Sequence, residues 1–246
     1  MRLSRQLARL AVAALATASQ TFAGDVTARI IITKRLTRKA VTAAPYDLRG
    51  AASLPSSAPS GIEAEFDRTV VILEGGPNTV KTPTTVTINQ TGSRFDPEML
   101  VIPVGSTVQF PNLDPIFHNV FSLSGAKSFD LGYYPQGKSK AVKFEKPGVV
   151  QVYCHIHSNM YASIVVTDSG WFEKPTFDKG LQEGLVHFAD VPPGHYKAVA
   201  WHKVAGYYHA EIDVPQTGTA TVTLHVPLED AGNQNAGTQR VSSAAK

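Results

Sequence analysis

Short apolar runs, broken again and again by glycine and proline, fill most of this 246-residue chain. No stretch holds apolar residues at a 3.6-residue spacing for the length of a useful helix. The pattern predicts strands over Val26–Thr33, Thr69–Leu73, Thr85–Asn89, Leu100–Ile102, Thr107–Phe110, Asn119–Leu123, Ala141–Phe144, Val149–Cys154 and Ala162–Thr167. Further strands are predicted over Gly184–Phe188, His195–Trp201, Tyr208–Val214 and Ala220–His225. Turn signals such as Val104-Gly105-Ser106, Lys146-Pro147-Gly148, Pro192-Pro193-Gly194 and Gln216-Thr217-Gly218 separate many of them. The expected class is all-β, and about 200 ordered residues suffice for two small sandwiches.

The two ends and one internal stretch read differently. Residues 1–23 combine Arg2, Arg5 and Arg9 with the apolar run Leu10–Ala18 and a small-residue site at Thr21-Phe22-Ala23. This is the layout of a secretory signal peptide, so export to the periplasm is expected. The apolar run is too short to cross a bilayer, and no later stretch approaches the ~20 apolar residues that a span needs. Residues 42–62 are rich in Ala, Pro, Ser and Gly, as a linker would be, and residues 229–246 read as a disordered tail. The whole chain carries 23 Lys and Arg against 20 Asp and Glu, but three of those Arg lie in the signal segment. What remains is balanced and gives no reason to expect nucleic acid as a partner.

Cys154 is the only cysteine, so an exported form of this chain has no internal disulfide to make. Three readings stay open for it: a buried small hydrophobe, a bridge to another chain, or a metal ligand. In Val150–Cys154 the alternation of a strand puts Val150, Val152 and Cys154 on one face, with Gln151 and Tyr153 on the other. Cys154 therefore leaves the core side at the end of a strand. Cys154, His157 and Met160 follow at C-x2-H-x2-M spacing, which a tight loop can fold onto one point. Soft sulfur with imidazole suits copper better than zinc, which recruits a thioether less readily. A second imidazole must come from another strand. His118, starting a strand after the Pro115 loop, is well placed to supply it.

These residues resemble the cupredoxins, the blue-copper proteins, and most nearly the amicyanin and plastocyanin type. The resemblance runs from about Thr85 to Thr167. It rests on Phe95, Pro97, Val104-Gly105, Thr107–Asn112, His118-Asn119-Val120 and Tyr153-Cys154 with His157 and Met160. It implies a Greek-key sandwich holding one type 1 copper ion. His118, Cys154 and His157 would form the equatorial plane and Met160 a long axial ligand. Asn119 would tie the His118 strand to the ligand loop. A trigonal site with a weak axial sulfur is a compromise between the preferences of Cu(II) and Cu(I), and a ligand on a separate strand stiffens it. Ile116, Phe117, Ile156 and Tyr161 would limit water around it.

His155 offers a different set, Cys154/His155/His157, closer to a zinc-like or green-copper site; the favoured reading leaves it facing solvent. Multicopper oxidases place a His just before the Cys, where Tyr153 stands, and need further His-x-His pairs. Copper nitrite reductases need a second, catalytic copper, and a two-copper centre a second Cys.

Phe188–Tyr196 with Ala200-Trp201-His202 resembles carboxypeptidase regulatory-like domains, which are small transthyretin-like sandwiches. The expected organisation is a signal peptide (1–23), N-terminal strands and linker (24–84), a cupredoxin domain (85–167), the second sandwich (168–228) and the tail (229–246). Residues 24–84 supply strands that the second sandwich lacks, so the copper domain is expected as an insertion within it. His187, His195, His202, His209 and His225 read as exposed or hydrogen-bonded strand and loop residues. The expected function is electron transfer with a redox protein such as a dehydrogenase or cytochrome, similar to exported proteins of methylamine utilisation. Copper delivery and scaffolding are the alternatives. No nucleotide loop, Ser/His/Asp order or paired carboxylates appear, so no enzymatic activity is expected.

Overall fold

A computed structural model of the chain describes residues 23–32, 61–77 and 80–226. The expected tail, nearly all of the signal peptide and most of the 42–62 linker lie outside these residues. The described chain opens with β1 (Gly24–Ile32), a single helical turn α1 (Glu63–Phe66) and β2 (Thr69–Gly75). Next come β3 (Thr85–Thr87), β4 (Asn89–Thr91), β5 (Arg94–Asp96), β6 (Met99–Pro103), β7 (Thr107–Pro111), β8 (His118–Ser124), β9 (Lys127–Tyr134), β10 (Ser139–Lys143), β11 (Gly148–Tyr153) and β12 (Tyr161–Thr167). The last stretch holds β13 (Phe172–Glu173), β14 (Thr176–Asp178), β15 (Glu183–Val191), β16 (Gly194–His202), β17 (Gly206–Val214) and β18 (Thr219–Val226). The fold is all-β, as the turn-punctuated pattern requires.

Two sheets, ordered β14-β15-β1-β18 and β13-β2-β16-β17, draw on both ends of the described chain. β1 pairs antiparallel with β15 and parallel with β18, and β2 pairs antiparallel with β16 and β13. Val26, Ala28, Ile30 and Ile32 alternate into the core between these sheets and meet Val71, Leu73, Ala198 and Ile212. The intervening strands form a five-stranded sheet, β6-β12-β11-β8-β9, a three-stranded sheet, β10-β7-β3, and the β4–β5 hairpin. Their core contains Ile88, Phe95, Phe110, Phe144, Val150, Val152 and Ile164.

A third cluster joins the two halves. Val70, Ile72, Phe172 and Trp201 from the first pair of sheets pack on Met99 and Val165 from the five-stranded sheet. β2 and β12 are thus covered on both faces, which explains why each reads as a continuous apolar run rather than an alternation. By contrast, β4, β5, β9, β13 and β14 were not expected from the sequence. β9 is half-exposed along most of its length and interrupted by Asp130 and Gly132, and the other four have only two or three residues each. The strand expected over Thr85–Asn89 is split, because Thr85–Thr87 pairs with β7 whereas Asn89 pairs with Asp96.

Candidate metal centre

The site forms where two connections meet at one end of the five-stranded sheet. The first, Asn112–Phe117, links β7 to β8. Asn112 shapes it from within: its Nδ2 donates to the carbonyls of Ile116 and Tyr134, and its Oδ1 accepts from the Asp114 N–H. His118 therefore starts β8 at a fixed point, wholly buried. The second connection, Cys154–Met160, joins β11 to β12, whose last paired residues are Tyr153 and Tyr161. The Cys154 N–H donates to the Met160 carbonyl, and the Met160 N–H donates to the His157 carbonyl, so the loop closes on itself.

These connections bring His118, Cys154 and His157 together. Their ligand atoms all lie within 4.8 Å of one another, and they are the one such group among the described residues. His118 Nδ1 is 3.1 Å from His157 Nδ1, which is 3.7 Å from Cys154 Sγ. Metal–nitrogen bonds of about 2.0 Å and a metal–sulfur bond of about 2.3 Å can bridge either separation with one ion. One thiol and two imidazole nitrogens at a partly covered rim make a donor set that fits a soft or borderline transition metal. Met160 is wholly buried and shares the core cluster of Cys154.

Asp114 belongs to the site and was missed as a candidate in the sequence. Its Oδ2 lies 2.8 Å from His118 Nε2, on the side of the ring away from the cluster. The same carboxylate accepts the N–H groups of Gly92 (2.7 Å) and Ser93 (2.8 Å) at the β4–β5 turn. Burial disfavours its charge, but the Ser93 N–H, the His118 ring and the Gly92 N–H outweigh that penalty and hold Asp114 below the usual carboxylate range. Burial, reinforced by the nearby His118 and opposed by Asp114, lowers the pKa of His157. That keeps its imidazole neutral, the form that ligates a metal. Asn159 Nδ2 donates to the Ser93 carbonyl, so the ligand loop is tied to the same turn.

Of the other expected roles, that of His155 is kept, since it is exposed and outside the cluster, while those of Asn119 and the four apolar residues change. Asn119 donates to Asp130 Oδ1 on β9 and not directly to the ligand loop, because the β8–β9 pairing places that carboxylate beside it. His155 does not join the cluster: its ring stacks on Phe121 at 3.8 Å between centroids, with Nε2 3.5 Å from Asp130. Ile116, Phe117, Ile156 and Tyr161 are exposed, so the shielding of Cys154 and Met160 comes from the core they share with Phe95, Phe110 and Val120. Away from the site, His202 is buried, with Nε2 facing Glu65 and Nδ1 accepting the Val204 and Ala205 N–H groups, while His195 lies exposed between Asp213 and Glu211.

No protein-family model matches the chain, and no curated protein sequence matches it. Part of the chain is similar to several solved copper proteins. A copper-containing nitrite reductase from Thermus scotoductus SA-01 is 31% identical, with a TM-score of 0.32, over 35% of this chain and 22% of the reductase. A purple cupredoxin from Nitrosopumilus maritimus is 26% identical, with a TM-score of 0.30, over 33% of this chain and 99% of the cupredoxin. A reduced mutant of amicyanin is 20% identical, with a TM-score of 0.31, over 33% of this chain and 80% of amicyanin. The expectation that the chain has no enzymatic activity is corrected by the first of these, because a reductase stands among the similar structures. No helix among the described residues is long and apolar enough to cross a membrane.

Proposed function

We propose that this chain is an exported copper protein that transfers electrons through one type 1 site. His118, Cys154 and His157 would hold the ion, with Met160 as a weak axial ligand. The observation that carries the reading is the convergence of His118 Nδ1, at the start of β8, with Cys154 Sγ and His157 Nδ1 of the β11–β12 loop. Bound copper would supply a one-electron Cu(II)/Cu(I) couple. The protein's part is to hold a trigonal sulfur–nitrogen set that suits both oxidation states, so that little moves when the electron does. A redox protein such as a dehydrogenase or cytochrome is the proposed partner, docking near the exposed edge of His157, and the periplasm is the proposed compartment.

We further propose that residues 24–84 and 168–228 make one sandwich interrupted by residues 85–167. The pairing of β1 with β15 and β18, and of β2 with β16, supports that division.

Adding Cu(II) to the mature protein and recording its visible spectrum tests the function. An intense thiolate-to-copper band near about 600 nm, bleached reversibly by ascorbate and lost in Cys154→Ser, is the expected outcome for such a site. A colourless complex that prefers Cu(I) would favour delivery of copper instead.

A further inference from the structure

Asp114 sits between two parts of the site that are distant in sequence. The β4–β5 hairpin turns through Gly92 and Ser93, whose φ angles are 59° and 54°. Two successive left-handed residues in a two-residue hairpin loop point adjacent N–H groups into one concavity, an arrangement that cradles anions. Here the anion is a side chain of the same protein: Gly92 N–H reaches Asp114 Oδ1 and Ser93 N–H reaches Oδ2. A serine at this φ is sterically unfavourable, and its hydrogen bond to a carboxylate offsets that cost. The remaining contact of Oδ2 is His118 Nε2 at 2.8 Å.

Because an ionised carboxylate only accepts hydrogen bonds, the His118 proton must reside on Nε2. A neutral His118 then presents a bare Nδ1 to His157 and Cys154. We propose that Asp114 is a positioning residue for this centre, fixing the tautomer and tilt of His118 and placing a negative charge one imidazole away from the ion. The inference rests on the copper reading above. A fixed anion there stabilises Cu(II) more than Cu(I), and it lowers the reduction potential.

The experiment compares wild type with Asp114→Asn, measuring Cu(II) and Cu(I) affinities with competing chelators, and the reduction potential by spectroelectrochemistry. Loss of an outer partner of a metal-bound His typically weakens metal binding 10–100-fold. We expect about that loss for Cu(II), a smaller loss for Cu(I), and a potential raised by about 59 mV for each tenfold difference between the two. An unchanged potential, or equal losses for both oxidation states, would make Asp114 a structural residue only and overturn the inference. Should Asp114→Asn fail to fold, nitrogen-15 NMR of the wild-type metal-free protein decides. A proton on His118 Nε2 supports the inference, and a proton on Nδ1 with Nε2 bare overturns it. Absence of the blue spectrum in wild type would reject the electron-transfer reading, while the tautomer measurement would still stand on its own.

Discussion

Met160 is wholly buried among apolar side chains, so truncating it disturbs packing whether or not its sulfur meets a metal. Met160→Ala should cost about 2–5 kcal/mol in the metal-free protein, measured by denaturant unfolding. Met160→Leu nearly conserves volume and should cost less than about 1.5 kcal/mol. The two roles separate at this point. If the thioether is an axial ligand, Met160→Leu should still raise the reduction potential, because Cu(II) uses an extra donor more than Cu(I) does. An unaltered potential in a well-folded Met160→Leu protein would leave Met160 a core residue alone. The grouping of Cys154 with His157 was legible because both lie in one short loop, and that of His118 because it follows a turn and starts a strand. Asp114 was not. Its role comes from contacts with Gly92 and Ser93, 22 and 21 residues away, and a lone acid in the Asn112–Phe117 loop gives no spacing to read.

At the level of elements, the long strands with a buried face were readable, while half-exposed β9 and the two- and three-residue strands β4, β5, β13 and β14 were missed. β1 alternates cleanly between core and surface, whereas β9 leaves most of its side chains partly exposed. Exposed faces are instead organised by cross-strand pairs. On β16 and β17, His195 stands directly opposite Asp213, with Nδ1 2.7 Å from Oδ1. The hydrogen bond to Asp213 raises the pKa of His195; desolvation opposes it, and the Asp213 and Glu211 charges add to the rise. A pKa higher in the folded than in the unfolded chain stabilises the fold when the histidine is protonated. That stabilisation is complete below the unfolded value of about 6.5 and disappears as pH rises through the folded value. His195 should accordingly titrate above about 6.5 by NMR. Asp213→Asn should lower stability more in mildly acidic than in alkaline solution. The difference will be small, since the pair lies in water. A stability gap that instead widened with rising pH would contradict this account of the pair.

For the whole molecule, the third hydrophobic cluster decides whether the two halves behave as one. Val70, Ile72, Phe172 and Trp201 meet Met99 and Val165 there, and Lys203 reinforces its edge, with Nζ 3.3 Å from Glu98 and 4.0 Å from the centre of the Tyr161 ring. Tyr161 follows Met160 directly, so β12 carries both the junction and the end of the ligand loop. An apolar junction of this kind favours cooperative unfolding, because opening it exposes both partners at once. Near-ultraviolet circular dichroism, which reads tertiary packing throughout, and the thiolate–copper band, which reads the site, should therefore lose signal at the same temperature in the copper-loaded protein. Trp201→Ala removes a large side chain from the junction and should destabilise by roughly 3–5 kcal/mol. At about 2–4 °C per kcal/mol for a chain of this size, both signals should shift together to lower temperature. A copper band that kept its wild-type melting point while the dichroism transition moved would mean that the site rests on β6–β12 alone, with the packed junction contributing nothing to its stability.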